Sequence, residues 1–299
     1  MMIGNVGRDR RLSRLDVLFR LLVKGATFAA AGMLAVMLLA FLFEGIQAFL
    51  PGSFSFLLGR EWRPEFLALF GLLPLLHASL LVTLGAVLAA APAAVLAAVW
   101  SSFTLSRTAL LRLRRMADFT AAIPTVVYGF IGLTALVPLL RSGGRVPSGN
   151  SLGAAILVLA VMLFPRMFSS FLRAFGKLPL GLLQAGTAAG ASRFQLLRFV
   201  LLPASTRLLL AGVLDAIMRA AGEAVVVVMV AGNSPRFASS LADSVRTLSG
   251  TLLLETASAQ GQHFSVLFTI GLLLLVTVIL LQTLVYWLKN GGRYAKVVA

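Results

Sequence analysis

The chain lacks several groups on which enzyme chemistry commonly depends. Its 299 residues include no cysteine and only two histidines, His77 and His263. Without cysteine, disulfides and thiolate metal sites are excluded. Two histidines far apart in the sequence fall short of a usual metal ligand set, so we predict no metal site. The sequence also contains no GxxxxGK[ST] phosphate loop and no recognisable Ser-His-Asp or paired-carboxylate arrangement, and we therefore predict that this chain is not an enzyme.

Charge is scarce and largely of one sign. Ten acidic residues stand against 26 lysines and arginines, which gives a formal net charge of +16. Only 12% of the residues are charged, 59% are hydrophobic, and the mean hydropathy is +0.97. Such a composition cannot cover a soluble domain with a polar exterior. It predicts an all-α, polytopic membrane protein.

Six apolar segments have the length of about 20 residues that a helix needs to cross the bilayer. We place them at about residues 25–43, 73–100, 116–140, 151–171, 207–231 and 264–288. Basic residues are concentrated before the first segment and after the second, fourth and sixth segments. The positive-inside rule therefore predicts a cytoplasmic arm at residues 1–24, a transmembrane domain at 25–288 and a cytoplasmic tail at 289–299. This topology explains the high positive charge, so we predict no nucleic-acid partner.

Three ionisable residues recur every four positions in the fifth segment, at Asp215, Arg219 and Glu223. The spacing predicts one stripe along a continuous helix, with Arg219 near mid-membrane. Intramembrane charges cost roughly 2.5–3.5 kcal/mol each and usually face a cavity or partner, which favours a solute pathway. A guanidinium suits an oxyanion, and Glu223 would orient it or repel more highly charged anions. The alternative is an ion-pair ladder that only neutralises itself.

A polar break rich in small residues lies between the fourth and fifth segments, within residues 176–206. Its core reads QAGTAAGASRFQLLRFVLLP from Gln184 to Pro203, which predicts a short helix, a glycine turn and an amphipathic helix. A helix lying on lipid head groups has similar amphipathic character. The spacing, however, resembles the cytoplasmic coupling loop of ABC-importer permeases, which docks on the ATP-hydrolysing subunit. The residues that match or lie within that loop are Gln184, Ala185, Gly186, Gly190, Arg193, Phe194, Val200, Leu202 and Pro203.

This coupling loop departs from the family pattern at two positions. Gln184 replaces a glutamate and Gly186 replaces an alanine. Two further segments narrow the resemblance to the phosphate-importer permease family PstC. RAAGEAVVVVMVAGN, which begins at Arg219, is similar to one segment of that family, with Ala224 and Val225 replacing its Thr and Met. ADFTAAIPTVVYGFIGL is similar to its third-span signature, in which we expect Pro124 to bend the helix.

The resemblance implies a type I ABC importer permease fold and a subunit for inorganic phosphate in the bacterial inner membrane. In that family, the residues matching Arg219 and Glu223 form the charged pair of the translocation pathway, whereas Asp215 is added here from spacing alone. The implied partners are a PstA-like second permease, two ATP-binding subunits that hold ATP and magnesium, and an extracytoplasmic phosphate-binding protein. No cofactor is expected on this chain. Open alternatives are a permease for phosphonate, sulfate or molybdate, and a scaffold or sensor subunit of a phosphate-signalling complex.

Overall fold

The structure is a computed structural model that describes residues 6–47, 58–64, 68–144, 146, 148–177 and 180–290. The first five residues of the predicted arm and residues 291–299 of the predicted tail lie outside this part of the chain.

Six helices in the described chain are long and apolar enough to span a membrane, as predicted. They are α1 (Val6–Gln47, apolar from Asp16), α2 (Leu73–Thr104), α4 (Thr125–Ser142), α5 (Leu152–Gly176), α7 (Arg193–Gly222) and α10 (Gln262–Asn290). The shorter elements are β1 (Trp62–Arg63), β2 (Leu69–Phe70), α3 (Arg107–Ala121), α6 (Leu180–Ala188), α8 (Val225–Val230) and α9 (Leu248–Glu255). The two strands pair antiparallel, with Trp62 opposite Phe70.

The centre of the bundle is the packing of α2 along α5, with α7 against both. Small residues on α2 allow this close approach, which is a common solution for helices in membranes. A Cβ atom added to Gly85 would lie only 2.6 Å from Cδ1 of Ile156, and one added to Gly212 would lie 3.0 Å from the Phe171 ring. Helix α10 packs on α7, and α1 packs on α10. The arrangement leaves a space between α5, α7 and α10.

The third segment differs from the prediction of one helix bent at Pro124. Helix α3 ends at Ala121, and α4 begins at Thr125 with Pro124 as its N-cap residue. Proline lacks the N–H that would continue the helical hydrogen bonds and disfavours helical geometry in the residue before it, and here the helix is interrupted rather than bent. Helix α3 is therefore a separate element, and the membrane-length helix begins after Pro124.

The fifth segment also differs, at both ends. Helix α7 already begins at Arg193, and Pro203 is accommodated just after a π-helical turn at Leu197–Leu201. Helix α7 stops at Gly222, Glu223 is extended with φ −76° and ψ 110°, and α8 begins at Val225. The predicted continuous helix through residue 231 is therefore wrong.

The break after Gly222 has a local explanation. Glycine is a poor helix former, and the Glu223 side chain caps the next helix by accepting the Val226 N–H at 3.3 Å. The Glu223 carbonyl accepts the Ser249 hydroxyl at 3.1 Å. Helix α8 then ends before Gly232 (φ 86°) and Asn233 (φ 61°), close to the end of the fifth apolar segment at about residue 231.

Candidate functional site

A partly open cavity of about 590 Å³ lies between α5, α7 and α10. The polar residues that line it are Arg166, Ser170, Arg173, Asp215, Arg219, Glu223 and Gln282. Its apolar lining includes Met167, Met218 and Val278. Arg166 and Val278 lie close to the middle of their helices, whereas Arg173 lies in the last turn of α5. The cavity therefore runs from mid-bundle toward the end at which α5 leads into α6.

The three ionisable residues predicted for a pathway all reach this cavity, but not as one stripe. Asp215 and Arg219 share a face of α7, whereas Glu223 lies beyond the helix end. Asp215 Oδ2 is bound by the Lys289 ammonium at 2.9 Å. No ion pair links Asp215, Arg219 and Glu223 to each other in the part of the chain that the structure describes. The self-neutralising ladder is therefore not formed. The helix break moves Glu223 off the face of α7, and Asp215 pairs with Lys289 instead of Arg219.

Arg219 has no hydrogen bond or ion pair to any described residue. Its guanidinium lines the cavity and is near enough to the Tyr128 hydroxyl of α4 for a Coulomb interaction. Glu223 holds one carboxylate oxygen on the Val226 N–H, and its other oxygen has no hydrogen-bond partner among the residues described. The cavity is thus lined by a guanidinium that has no partner among the described residues and by a carboxylate oxygen that can accept a hydrogen bond.

Helix α5 contributes two arginines that were not predicted as site residues. Arg166 lines the cavity, and its guanidinium, like that of Arg219, makes no hydrogen bond or ion pair within the described ranges. The signal was in the sequence, because Arg166 falls inside the fourth apolar segment and the rule that flagged Arg219 applies to it equally.

Arg173, near the mouth of the cavity, is held by a carboxylate instead. Its Nη1 lies 3.6 Å from Asp118 Oδ1 and donates to Ser169 Oγ at 3.0 Å. The Ser169 hydroxyl donates to the same Asp118 oxygen at 2.5 Å, and Arg114 Nε lies 3.7 Å from the other oxygen. This network ties α3 to α5 and neutralises Arg173. The unneutralised cations in the described cavity lining are then Arg166 and Arg219.

The predicted coupling residues lie at the same end of the bundle. Helix α6, a turn at Gly190 with φ 78° and the start of α7 form the predicted helix, turn and helix. Ser192 and Gln195 make a capping box, in which Gln195 N–H donates to Ser192 Oγ at 3.3 Å and Ser192 N–H donates to Gln195 Oε1 at 2.7 Å.

Packing explains the small residue at position 186. Leu196 is buried across the turn, and a Cβ atom on Gly186 would collide with its side chain. Other predicted coupling residues are exposed, and these are Gln184, Ala185, Gly190, Arg193, Phe194 and Pro203. With Phe194 and Phe199 65% and 68% exposed, the turn presents a surface of aromatic and basic side chains.

The opposite end of the bundle carries a polar cluster around Glu255. Its carboxylate accepts the Trp62 indole N–H at 3.1 Å, lies 2.9 Å from His263 Nε2 and also pairs with Arg246. Arg246 Nε donates to the Asn233 carbonyl at 2.9 Å. His77 lies elsewhere, against Phe237, with a buried Nδ1 that has no partner among the described atoms. No group of three potential metal ligands occurs in the residues covered by the structure.

Comparison with known proteins gives a consistent picture. The model of the family described as "binding-protein-dependent transport system inner membrane component" matches residues 90–291, which contain both the cavity and the coupling turn. The probable ABC transporter permease protein YqgH of Bacillus subtilis is 33% identical over 256 residues, covering 84% of this chain and 83% of that protein. The phosphate transport system permease protein PstC of Mesorhizobium japonicum is 28% identical over 297 residues, covering 91% and 89%.

Solved structures agree in fold. An inward-facing structure of the MetNI methionine ABC transporter superposes with a TM-score of 0.54 at 20% identity, covering 72% of this chain and 94% of that chain. A second crystal form of MetNI superposes with a TM-score of 0.53 at 20% identity, covering 77% of this chain and 98% of that chain. The predicted type I ABC importer permease fold is thus confirmed.

Proposed function

Because the chain belongs to the family of binding-protein-dependent transport system inner membrane components, we propose that it is the permease subunit of an ATP-driven importer for inorganic phosphate. The family and the six membrane-length helices make it a multi-pass inner membrane protein. The observation that carries the phosphate proposal is Arg219, a guanidinium without a counterion among the described residues, facing a cavity deep in the bundle. Such a group attracts an anion strongly where water is restricted.

Phosphate is favoured over sulfate and molybdate by the chemistry of Glu223. At neutral pH inorganic phosphate still carries a proton that it can donate, whereas sulfate and molybdate are fully deprotonated. The second carboxylate oxygen of Glu223 is available to accept a hydrogen bond from that P–OH group, and it repels an oxyanion that has no proton to donate. Relatives that carry the name phosphate transport system permease protein PstC support the same choice. Phosphonate shares the acidic P–OH group and is the second candidate.

Transport would follow from rigid-body movement of the bundle. ATP binding, with magnesium, to two partner subunits would move the coupling loop within residues 176–206, which presents Arg193 and Phe194 as exposed contacts. That movement would open the Arg219 cavity alternately to the two sides of the membrane. This chain would bind no cofactor and supply no catalytic group.

The proposed assembly contains a PstA-like second permease and an extracytoplasmic phosphate-binding protein besides the two ATP-binding subunits. The arm at residues 1–24, the coupling loop and the tail at 289–299 would lie in the cytoplasm, in line with the distribution of basic residues.

The test is uptake of labelled phosphate by vesicles that contain the full chain and its partner subunits, with sulfate, molybdate and phosphonate as competitors. Arg219→Ala should lower uptake about 100-fold, the effect of losing a charge-assisted contact to the moving anion, with assembly retained. Arg236→Ala is the matched control, because Arg236 is exposed in a loop outside the cavity. Unchanged uptake in Arg219→Ala would contradict the pathway role. Competition by sulfate equal to that by unlabelled phosphate would contradict the substrate.

A wild-type assembly that imports none of these anions, yet still transmits phosphate status, would identify the scaffold or sensor alternative instead.

A further inference from the structure

We propose that Arg166 of α5 is a second anion-binding residue, which holds the transported oxyanion together with Arg219 of α7. The inference rests on the proposed function of the cavity. It adds a residue that neither the sequence resemblance nor the charged stripe of α7 includes, and it makes the site one that spans two helices.

The first argument is position. Arg166 and Arg219 line the same cavity from helices that pack directly against each other. Gly212 allows this packing, since a Cβ atom there would lie 3.0 Å from the Phe171 ring of α5. Arg166 is solvent-accessible on the cavity side, while its helix neighbours Leu163 and Met167 are 0% and 2% exposed. The guanidinium is therefore anchored on a tightly packed helix and directed to open space.

The second argument is the missing counterion. Arg173 on the same helix is paired with Asp118, and Asp215 on α7 is paired with Lys289. Arg166 has no hydrogen bond or ion pair with any residue that the structure describes. An unpaired guanidinium within a membrane-length helix is unfavourable, so it is expected where an anion from outside the chain completes the site.

The ligand chemistry is a tetrahedral oxyanion, which a lipid head group or a free anion can supply. Arg166 is ten residues from Gly176 at the nearer end of α5, or about 15 Å at 1.5 Å per residue. Because the 25 residues of α5 span about 37 Å and exceed the roughly 30 Å hydrocarbon thickness, Arg166 lies about 12 Å from the nearer surface when α5 is centred in the bilayer, whereas lipid phosphates lie at the surfaces. The depth favours a free oxyanion that passes through the bundle.

Two guanidiniums suit such an anion better than one. Each planar fork can donate to two oxygens, so forks from two helices can bind two edges of one tetrahedron. Because the forks belong to different helices, the affinity depends on the separation of α5 and α7. A conformational change that moves these helices apart would weaken the site and release the anion.

The absence of cysteine makes this inference directly testable. Arg166→Cys introduces the first thiol of this chain. In vesicles containing the full assembly, this variant should lower phosphate uptake about 10- to 100-fold. A methanethiosulfonate reagent bearing an ammonium group should restore part of the uptake, whereas a neutral reagent of similar size should not. Phosphate should slow the labelling of this thiol more than sulfate does.

Arg141→Cys is the matched control, since Arg141 is exposed at the end of α4 and does not line the cavity. Its uptake should be normal and its labelling independent of phosphate. The unmodified chain, treated with the same reagents, reports any cysteines of the partner subunits. Arg166→Gln combined with Arg219→Gln should lower uptake little more than either change alone, because both residues hold one ion.

Several results would overturn the inference. Labelling unaffected by phosphate, additive effects of Arg166→Gln and Arg219→Gln, or full rescue by the neutral reagent would each do so. Protection by anionic lipid but not by phosphate would assign Arg166 to a head group, and a thiol inaccessible in the assembly with or without phosphate would assign it to a partner subunit. In all these cases Arg219→Ala would still lower uptake, whereas normal uptake in Arg219→Ala would overturn the proposed function itself.

Should Arg166→Cys fail to assemble, Arg166→Lys provides the measurement, because it keeps the charge and loses only the planar fork. We expect its uptake to fall about 3- to 10-fold, and unaltered uptake would contradict the role of Arg166.

Discussion

The ionisable side chains at the two ends of this bundle are paired in opposite ways. At one end, Glu255 is 14% exposed and contacts a tryptophan, a histidine and an arginine, so its charge is neutralised within the chain. In the cavity toward the other end, Arg166 and Arg219 have no such partners among the described residues. Helix α10 joins the two regions, with His263 at its start and Gln282 in the cavity. Charge that is satisfied internally stabilises the fold, whereas charge left unsatisfied in a cavity is available to a ligand.

The largest effect that would test this contrast is expected from Glu255→Gln. The change leaves Arg246 without its charged partner in a poorly exposed site, and such losses reduce the free energy of unfolding by about 3–5 kcal/mol. Thermal unfolding of the detergent-solubilised chain would measure it. Glu61→Gln is the control, because its pair with Arg63 at 3.5 Å is more than half exposed and should contribute less than about 1 kcal/mol. Equal losses in the two variants would remove the distinction.

The next effect is expected from Asp118→Asn, which should increase the affinity of the cavity for anions. Without the carboxylate, Arg173 is released toward the cavity as a third unpaired guanidinium. The anion should then leave more slowly, and we expect phosphate uptake to fall about 3- to 10-fold. Arg114→Gln is the control, since it removes the other partner of Asp118 and leaves Arg173 paired. A similar loss in both variants would assign the network to stability alone.

A smaller effect is expected at the coupling turn, which lies at the cavity end of the bundle. Ser192→Ala removes the oxygen that accepts the Gln195 N–H and should destabilise the first turn of α7 by about 1 kcal/mol. Faster amide hydrogen exchange of residues 194–196 would report this change. Ser192→Asp retains a capping oxygen and should keep the exchange slow. Identical exchange in the two variants would show that the cap does not hold the turn.

The smallest effect is expected from Asp243, in the loop beside the Glu255 end. Hydrogen bonds from the Ser239 N–H, the Ser239 hydroxyl and the Ser240 N–H lower the pKa of this carboxyl below its usual value. Because the folded pKa is the lower one, the stabilisation is complete above the unfolded value of about 4 and is lost as the pH falls through the folded value. Asp243→Asn should therefore lower the unfolding temperature slightly at neutral pH, and the difference should vanish in acid. A difference that persists in acid would contradict this linkage.

The sequence predicted the features that depend on local pattern. Apolar length located the six spans, and the small residues around Gly190 predicted the helix, turn and helix of the coupling segment. Four-residue spacing brought Asp215 and Arg219 to one cavity. Glu223 also lines this cavity, but the predicted continuous stripe fails there, because the helix stops at Gly222 and the carboxylate accepts a hydrogen bond at the start of the next helix.

Other features could not be read from local pattern. The Asp215–Lys289 pair joins residues 74 positions apart, so no helical period predicts it. Pro124 was expected to bend one helix, yet a proline is compatible with either a kink or a break, and only the surrounding packing decides between them. Arg166 was within reach of the rule for intramembrane charge, and it was missed because it stands alone rather than in a repeating pattern.

A hydrogen bond spans the break at Pro124, from the Tyr128 hydroxyl to the Thr120 carbonyl at 2.8 Å. This hydrogen bond joins α3 to α4 across the break, so a movement of one helix is expected to displace the other. In α4, Gly129 lies so close to α8 that an added Cβ atom would be 3.2 Å from Val226 Cα. Because the Val226 N–H also donates to Glu223, a displacement of α3 would be transmitted through α4 and α8 to this carboxylate of the cavity.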